Sequence, residues 1–65
     1  MDKTVRKLSF IGFDELQRDV YVDEEDIIWK NVSFSKVELY STYKNEFYGE
    51  PYRPIKTEFE FAEFA

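Results

Sequence analysis

Sixty-five residues confine the chain to a single small domain, 1–65, and a domain this short buries only about 60% of the surface its unfolded form exposes. Cysteine and histidine are both absent, which excludes disulfides and leaves only carboxylates as strong ligands, so no zinc site is expected; no motif points to a bound cofactor, and none is expected. Fourteen acids against nine bases give a net charge of −5, the wrong sign for neutralising phosphate, so direct DNA or RNA binding is disfavoured.

A core of this size rarely supplies more than about 3–5 kcal/mol, and the reinforcement must come from aromatic packing or from self-association. Seven phenylalanines, five tyrosines and one tryptophan are available, each able to bury roughly 150–250 Å². The opening MDKTVRKLSFIGF has basic residues but no apolar run of signal-peptide length. No stretch approaches the roughly 20 apolar residues of a membrane-spanning helix. A soluble cytoplasmic protein is the expectation.

The first element is a strand over Lys7–Phe13, KLSFIGF. Strict alternation places Leu8 and Phe10 on one face and Ile11 and Phe13 on the other. Apolar side chains on both faces suggest a strand covered on each side. DELQR follows as a loop, and Val20–Val22 resumes a strand of β-branched and aromatic residues. DEED, Asp23–Asp26, breaks it before IIWKNV, which makes a hairpin. Such turns often need one residue at positive φ. Without a glycine, Asp26 must take that place, and aspartate tolerates it better than most residues.

SFSKVELYSTYK admits two readings. Val37, Leu39, Ser41 and Tyr43 alternate with Lys36, Glu38, Tyr40 and Thr42, as in a strand. Ser35 and Glu38 also have capping-box spacing, and Gly49 and Pro51 could stop a helix over about 35–48. The β-branched and aromatic content favours the strand. Lys56–Phe64 is a clear strand, with Thr57, Phe59 and Phe61 facing inward together and Lys56, Glu58 and Glu60 facing water.

The stretch NEFYGEPYRPI, residues 45–55, holds both prolines and one of the two glycines. Glu50 and Arg53 each precede a proline, so both are biased to extended backbone. Pro51 and Pro54 lack N–H groups, so the segment cannot be a central strand. Either it is a strap, with Phe47 and Ile55 as anchors and Tyr48 and Tyr52 lying on the sheet, or it is a contact site with Tyr52 and Arg53 exposed. Tyrosine and arginine are favoured at interface hot spots. The candidate partner-binding residues are Tyr48, Glu50, Tyr52 and Arg53.

D-x-x-x-R-x-V-Y-x-D-E…W-K-N-V, Asp14 to Val32, followed by N-x-F-x-G-E-P-x-x-P-I, Asn45 to Ile55, resembles small uncharacterised cytoplasmic proteins of Gram-positive bacteria and their phages or mobile elements. The likeness covers about two thirds of the chain. Such relatives often carry Asn-Gly in the hairpin turn and Asp after the second aromatic of the loop, where this chain has Glu25-Asp26 and Tyr48. The group has no assigned activity, so the resemblance implies an origin and no chemistry.

Other chemistries lack their parts. DEED has none of the calcium-loop spacing of an EF-hand. Histidine, cysteine and a glycine-rich phosphate loop are absent, and so short a chain leaves little room for a water-excluding pocket, so no catalytic residue is assigned and no enzyme is expected. Trp29 and the phenylalanines could stack on a single strand of nucleic acid, but the flanking bases are too few. The expectation is an all-β fold, a small antiparallel sheet of four to five strands, mostly a meander, with α+β as the alternative if 35–48 is a helix. Its function would be that of a non-enzymatic protein-interaction module, encoded by a phage or mobile element. It would bind a host protein or itself, as a homo-oligomer, through a sheet edge or the 45–55 loop. The alternative is an acidic nucleic-acid mimic that inhibits a DNA- or RNA-binding protein, which requires its acids gathered on one face.

Overall fold

The structure is a computed structural model that describes residues 5–62. Six strands form one sheet: β1 (Val5–Phe13), β2 (Asp19–Val22), β3 (Ile28–Asn31), β4 (Leu39–Thr42), β5 (Pro51–Pro54) and β6 (Glu58–Phe61). A single 3-10 turn, Tyr43–Asn45, is the only helical element among the described residues. The all-β expectation holds. The strand reading of Leu39–Thr42 stands, and the helix over 35–48 does not form.

The spatial order is β5-β4-β3-β2-β1-β6. β1 to β5 are an antiparallel meander. β6 then returns to the far edge and pairs parallel with β1, Val5 beside Glu58 and Leu8 beside Phe61. Among the described residues there are therefore six strands rather than four or five, and one edge departs from the meander. The extra strand is β5, where both prolines sit on a sheet edge that does not need their missing N–H groups. β6 occupies part of the strand expected over 56–64; Glu63 and Phe64 lie outside the described residues.

Residues directly opposite one another share a face, so the register sorts the core. On one face, Tyr21 lies opposite Trp29, and Trp29 opposite Ser41. Leu8, Trp29 and Leu39 are buried there, with Tyr21, Ile27, Ile55 and Phe59 packed around them. The segment from β5 to β6 crosses this face: Ile55 N–H donates to the Leu39 carbonyl at 2.9 Å, and Arg6 Nε donates to Thr57 Oγ1 at 3.1 Å. On the opposite face Val20 pairs with Lys30, and both are fully buried.

Two side-chain placements need correction. β1 has an irregularity between Phe10 and Gly12, so that Phe10 opposes Tyr21 and Phe13 opposes Asp19. The inserted residue reverses the alternation, and Phe13 joins Phe10 on one face with ring centroids 5.1 Å apart. Phe61 was expected in the core with Phe59. Phe59 does pack against it, but Phe61 is 41% exposed at the sheet edge. In β6 alternation chooses the face correctly, but burial also depends on distance from the edge.

Candidate interaction surface

The segment between β4 and β5 is held to the sheet by small, specific contacts. Lys44 and Asn45 both have positive φ, 58° and 55°, a conformation asparagine accepts more easily than lysine. Asn45 closes the end of the β2–β3 hairpin: its Oδ1 accepts from Ile28 N–H at 2.8 Å and its Nδ2 donates to the Asp26 carbonyl at 2.9 Å. Gly49 is required by proximity, since a Cβ there would lie 2.6 Å from the Tyr43 carbonyl oxygen. Phe47 lays its ring on Gly12, where an added Cβ would meet it at 3.3 Å. Phe47 and Ile55 are thus the packing anchors expected of a strap.

The four candidate residues all reach solvent. Tyr48 and Tyr52 are 64% and 54% exposed, and Glu50 and Arg53 are exposed as well. Tyr48 and Tyr52 are therefore not covered by the fold, whatever part they play in the strap. The structure joins two of the four directly. The Arg53 guanidinium sits 5.0 Å from the centre of the Tyr52 ring, a cation–π contact. Tyr52 also meets Tyr43 edge to face at 5.7 Å, and Lys44 lies 5.6 Å from the Tyr43 ring. Tyr48 stands apart, edge-on to Phe47 at 4.8 Å. Glu50 takes part through its backbone, its carbonyl accepting from Tyr43 N–H at 2.9 Å.

Tyr43 and Lys44 belong to this surface although sequence patterning placed neither there. The 3-10 turn brings them beside Tyr52, and only knowledge of that turn could have found them. Phe34 was also missed: at 83% exposed it projects from the β3–β4 connection. Its polar neighbours in Ser33-Phe34-Ser35-Lys36 were the available signal.

Two buried carboxylates complete the electrostatics. Burial pushes the Asp14 carboxyl up. Hydrogen bonds from Arg18 N–H, Lys30 Nζ, the Arg18 side chain and Leu16 N–H outweigh this and hold it well below the usual carboxylate range. Lys30 Nζ is 3.0 Å from Asp14 Oδ2 and donates to the Gly49 carbonyl at 2.8 Å, so this buried pair also ties down the start of β5. Asp23 is likewise pushed up by burial, and the Trp29 indole N–H, Ile27 N–H, Arg6 and Glu25 N–H together bring it below its ordinary value. Asp23 is thereby committed within the fold, which leaves the 23–26 turn no calcium loop. Burial raises the Tyr21 phenol, aided by the charge of Asp19 and its hydrogen bond.

Among the described residues no helix is long and apolar enough to cross a membrane, and no three carboxylates converge as a cation cage. No protein-family model, curated protein or solved structure matches the chain.

Proposed function

We propose that this chain is a small non-enzymatic interaction module that binds a protein partner through the surface formed by Tyr43, Lys44, Tyr52 and Arg53, flanked by Tyr48 and Glu50. The observation that carries this reading is the placement of Tyr52. Its ring is more than half exposed, yet it is held between Tyr43 and Arg53. A preordered tyrosine loses little freedom on binding, and tyrosine and arginine dominate interface hot spots. The core has its own aromatics in Trp29, Tyr21 and Phe59, so these rings are available for contact. The reading extends to a cytoplasmic protein of phage or mobile-element origin whose partner is a host protein or a second copy.

The acidic-mimic alternative has less support. Asp14 and Asp23 lie inside the fold against cations. Glu25 and Glu60 lie near Arg6 and Lys7, and Glu24 accepts from Lys7 N–H.

The test uses Tyr52→Ala and Arg53→Ala in the intact chain. Both variants are expected to melt like the parent. Each is expected to weaken capture of an identified partner by about 1–2 kcal/mol, measured by titration calorimetry. Sedimentation equilibrium on the chain alone separates a foreign partner from a second copy. Binding unchanged in both variants would remove this surface from the interface.

A further inference from the structure

The sheet has two edges, and they differ in their readiness to pair. On β5, Ile55 N–H donates to Leu39, and Arg53 N–H faces Ser41 Oγ. The alternate positions, Tyr52 and Pro54, therefore turn outward, and Pro54 has no N–H to offer. A register irregularity between Tyr40 and Thr42 disturbs the same pair of strands. Proline and irregular register are how edge strands are protected from further pairing.

β6 has neither protection. Glu58–Phe61 contains no proline and no lysine, and its parallel register with β1 is unbroken. Ala62 N–H donates to the Leu8 carbonyl at 2.8 Å. Backbone groups alternate between the two edges of a strand, so those of Phe59 and Phe61 turn away from β1. The two flanks of this edge are chemically distinct. On one, Phe61 is part of a run of aromatic contacts, 5.8 Å from Phe59 and 4.9 Å from Tyr21. On the other, Glu58 and Glu60 lie in register with Val5 and Lys7, and Glu60 is more than half exposed. A hollow of about 390 Å³, lined by Lys7, Glu60, Phe61 and Ala62, opens at the end of the strand.

We propose that β6 is a strand-addition site for an extended peptide in which apolar residues alternate with lysine or arginine. Main-chain hydrogen bonds would hold such a peptide, and alternate side chains would read the two flanks. With period two, the apolar residues fall beside Phe59 and Phe61 and the basic ones beside Glu58 and Glu60. A second copy is a poorer occupant. Antiparallel pairing of β6 with itself, keeping the aromatic faces together, sets glutamate opposite glutamate, which is destabilising. β5 of another copy meets the outward Pro54. This site is on the opposite edge from the Tyr52 surface, so its existence does not depend on that surface.

The probe is a short capped peptide alternating valine and lysine, titrated into the isotope-labelled chain and followed by backbone amide NMR. The expected result is a shift and new exchange protection at Phe59 and Phe61. A scrambled peptide of the same composition, and one alternating valine and glutamate, should each bind at least tenfold more weakly. Combined Glu58→Lys and Glu60→Lys substitution should reverse the preference toward the glutamate peptide. N-methylation of the probe's pairing amides should abolish binding to the parent chain, which tests the site even if the double variant does not fold. Shifts centred on Tyr43–Arg53, equal binding of ordered and scrambled peptides, or β6 protection that rises with protein concentration in the absence of peptide would overturn the proposal.

Discussion

The turns on either side of β2 are built to one plan and finished differently. Asp14 and Asp23 each accept two backbone N–H groups on Oδ1, from the residues two and four positions ahead. Each is followed three positions later by a residue at φ 64°, Gln17 and Asp26. Each lends its Oδ2 to an arginine, Arg18 or Arg6. The difference is the second partner of Oδ2. For Asp14 it is Lys30, fully buried on one face of the sheet. For Asp23 it is the neutral indole N–H of Trp29 on the other face, at 3.0 Å. The same turn therefore carries a buried ion pair on one side and an aromatic core on the other.

That contrast predicts unequal losses. Asp14→Ala leaves Lys30 buried without its counter-charge, which typically costs about 3–5 kcal/mol, comparable to the whole stability of so small a domain. Asp23→Ala leaves the Trp29 N–H and two turn amides without an acceptor, while Arg6, at the margin of the core, can turn to water. The expected cost is about 1–3 kcal/mol. Urea unfolding of both variants checks the order. Equal losses would mean that the turn amides, common to both sites, dominate and that the charge on Lys30 counts for little.

Acid should expose the same two groups. Both carboxyls have folded values below the ordinary one near 3.8, so the unfolded chain takes up protons first as pH falls. Their contribution is complete above that ordinary value. It declines as pH falls from there through the folded values. Urea midpoints from pH 6 down to about 2 should fall for the parent, and the fall should be shallower for Asp23→Asn, which leaves no buried lysine without its counter-charge. An equally steep acid limb in that variant would assign the sensitivity to other carboxylates.

The smallest effect distinguishes the third residue after each aspartate. Left-handed backbone strains glutamine more than aspartate, so Gln17→Gly should raise stability by up to about 1 kcal/mol and Asp26→Gly by less. Thermal melting of the two variants decides it, and the reverse order would show that Gln17 is held by contacts that offset its strain.

Much of this comparison was legible in the residues. The alternation around Asp23–Asp26 located a hairpin, and the lack of glycine singled out Asp26 as the residue at positive φ. The related Asp14-Glu15-Leu16-Gln17 announces only a loop, because glutamine is not a usual occupant of that conformation. Nothing around Lys30 marks it as a buried residue, since lysine is almost never fully buried unless paired. Its partner lies sixteen residues away and reaches it only through the β2–β3 pairing. The one-residue irregularity near Gly12 also defeated the period-two reading of Phe13. In the candidate site, exposure of Arg53 and anchoring by Phe47 and Ile55 followed from residue type and proline spacing. The clustering of Tyr43 with Tyr52 did not, because it depends on the turn at Lys44 and Asn45.

The parallel pairing of β1 with β6 has a consequence for the order of assembly. Every other pairing in the sheet joins neighbours in sequence and closes a short loop. This one joins Val5 to Glu58, and the entropy of closing so long a loop must be met before any contact is gained. During synthesis the meander can pair as it emerges, while β1 keeps its outer edge unpaired until β6 has been made. Until then the aromatic face around Leu8 and Trp29 lacks the covering of Phe59. The interval between those two events is when the nascent chain is most exposed to pairing with the wrong strand.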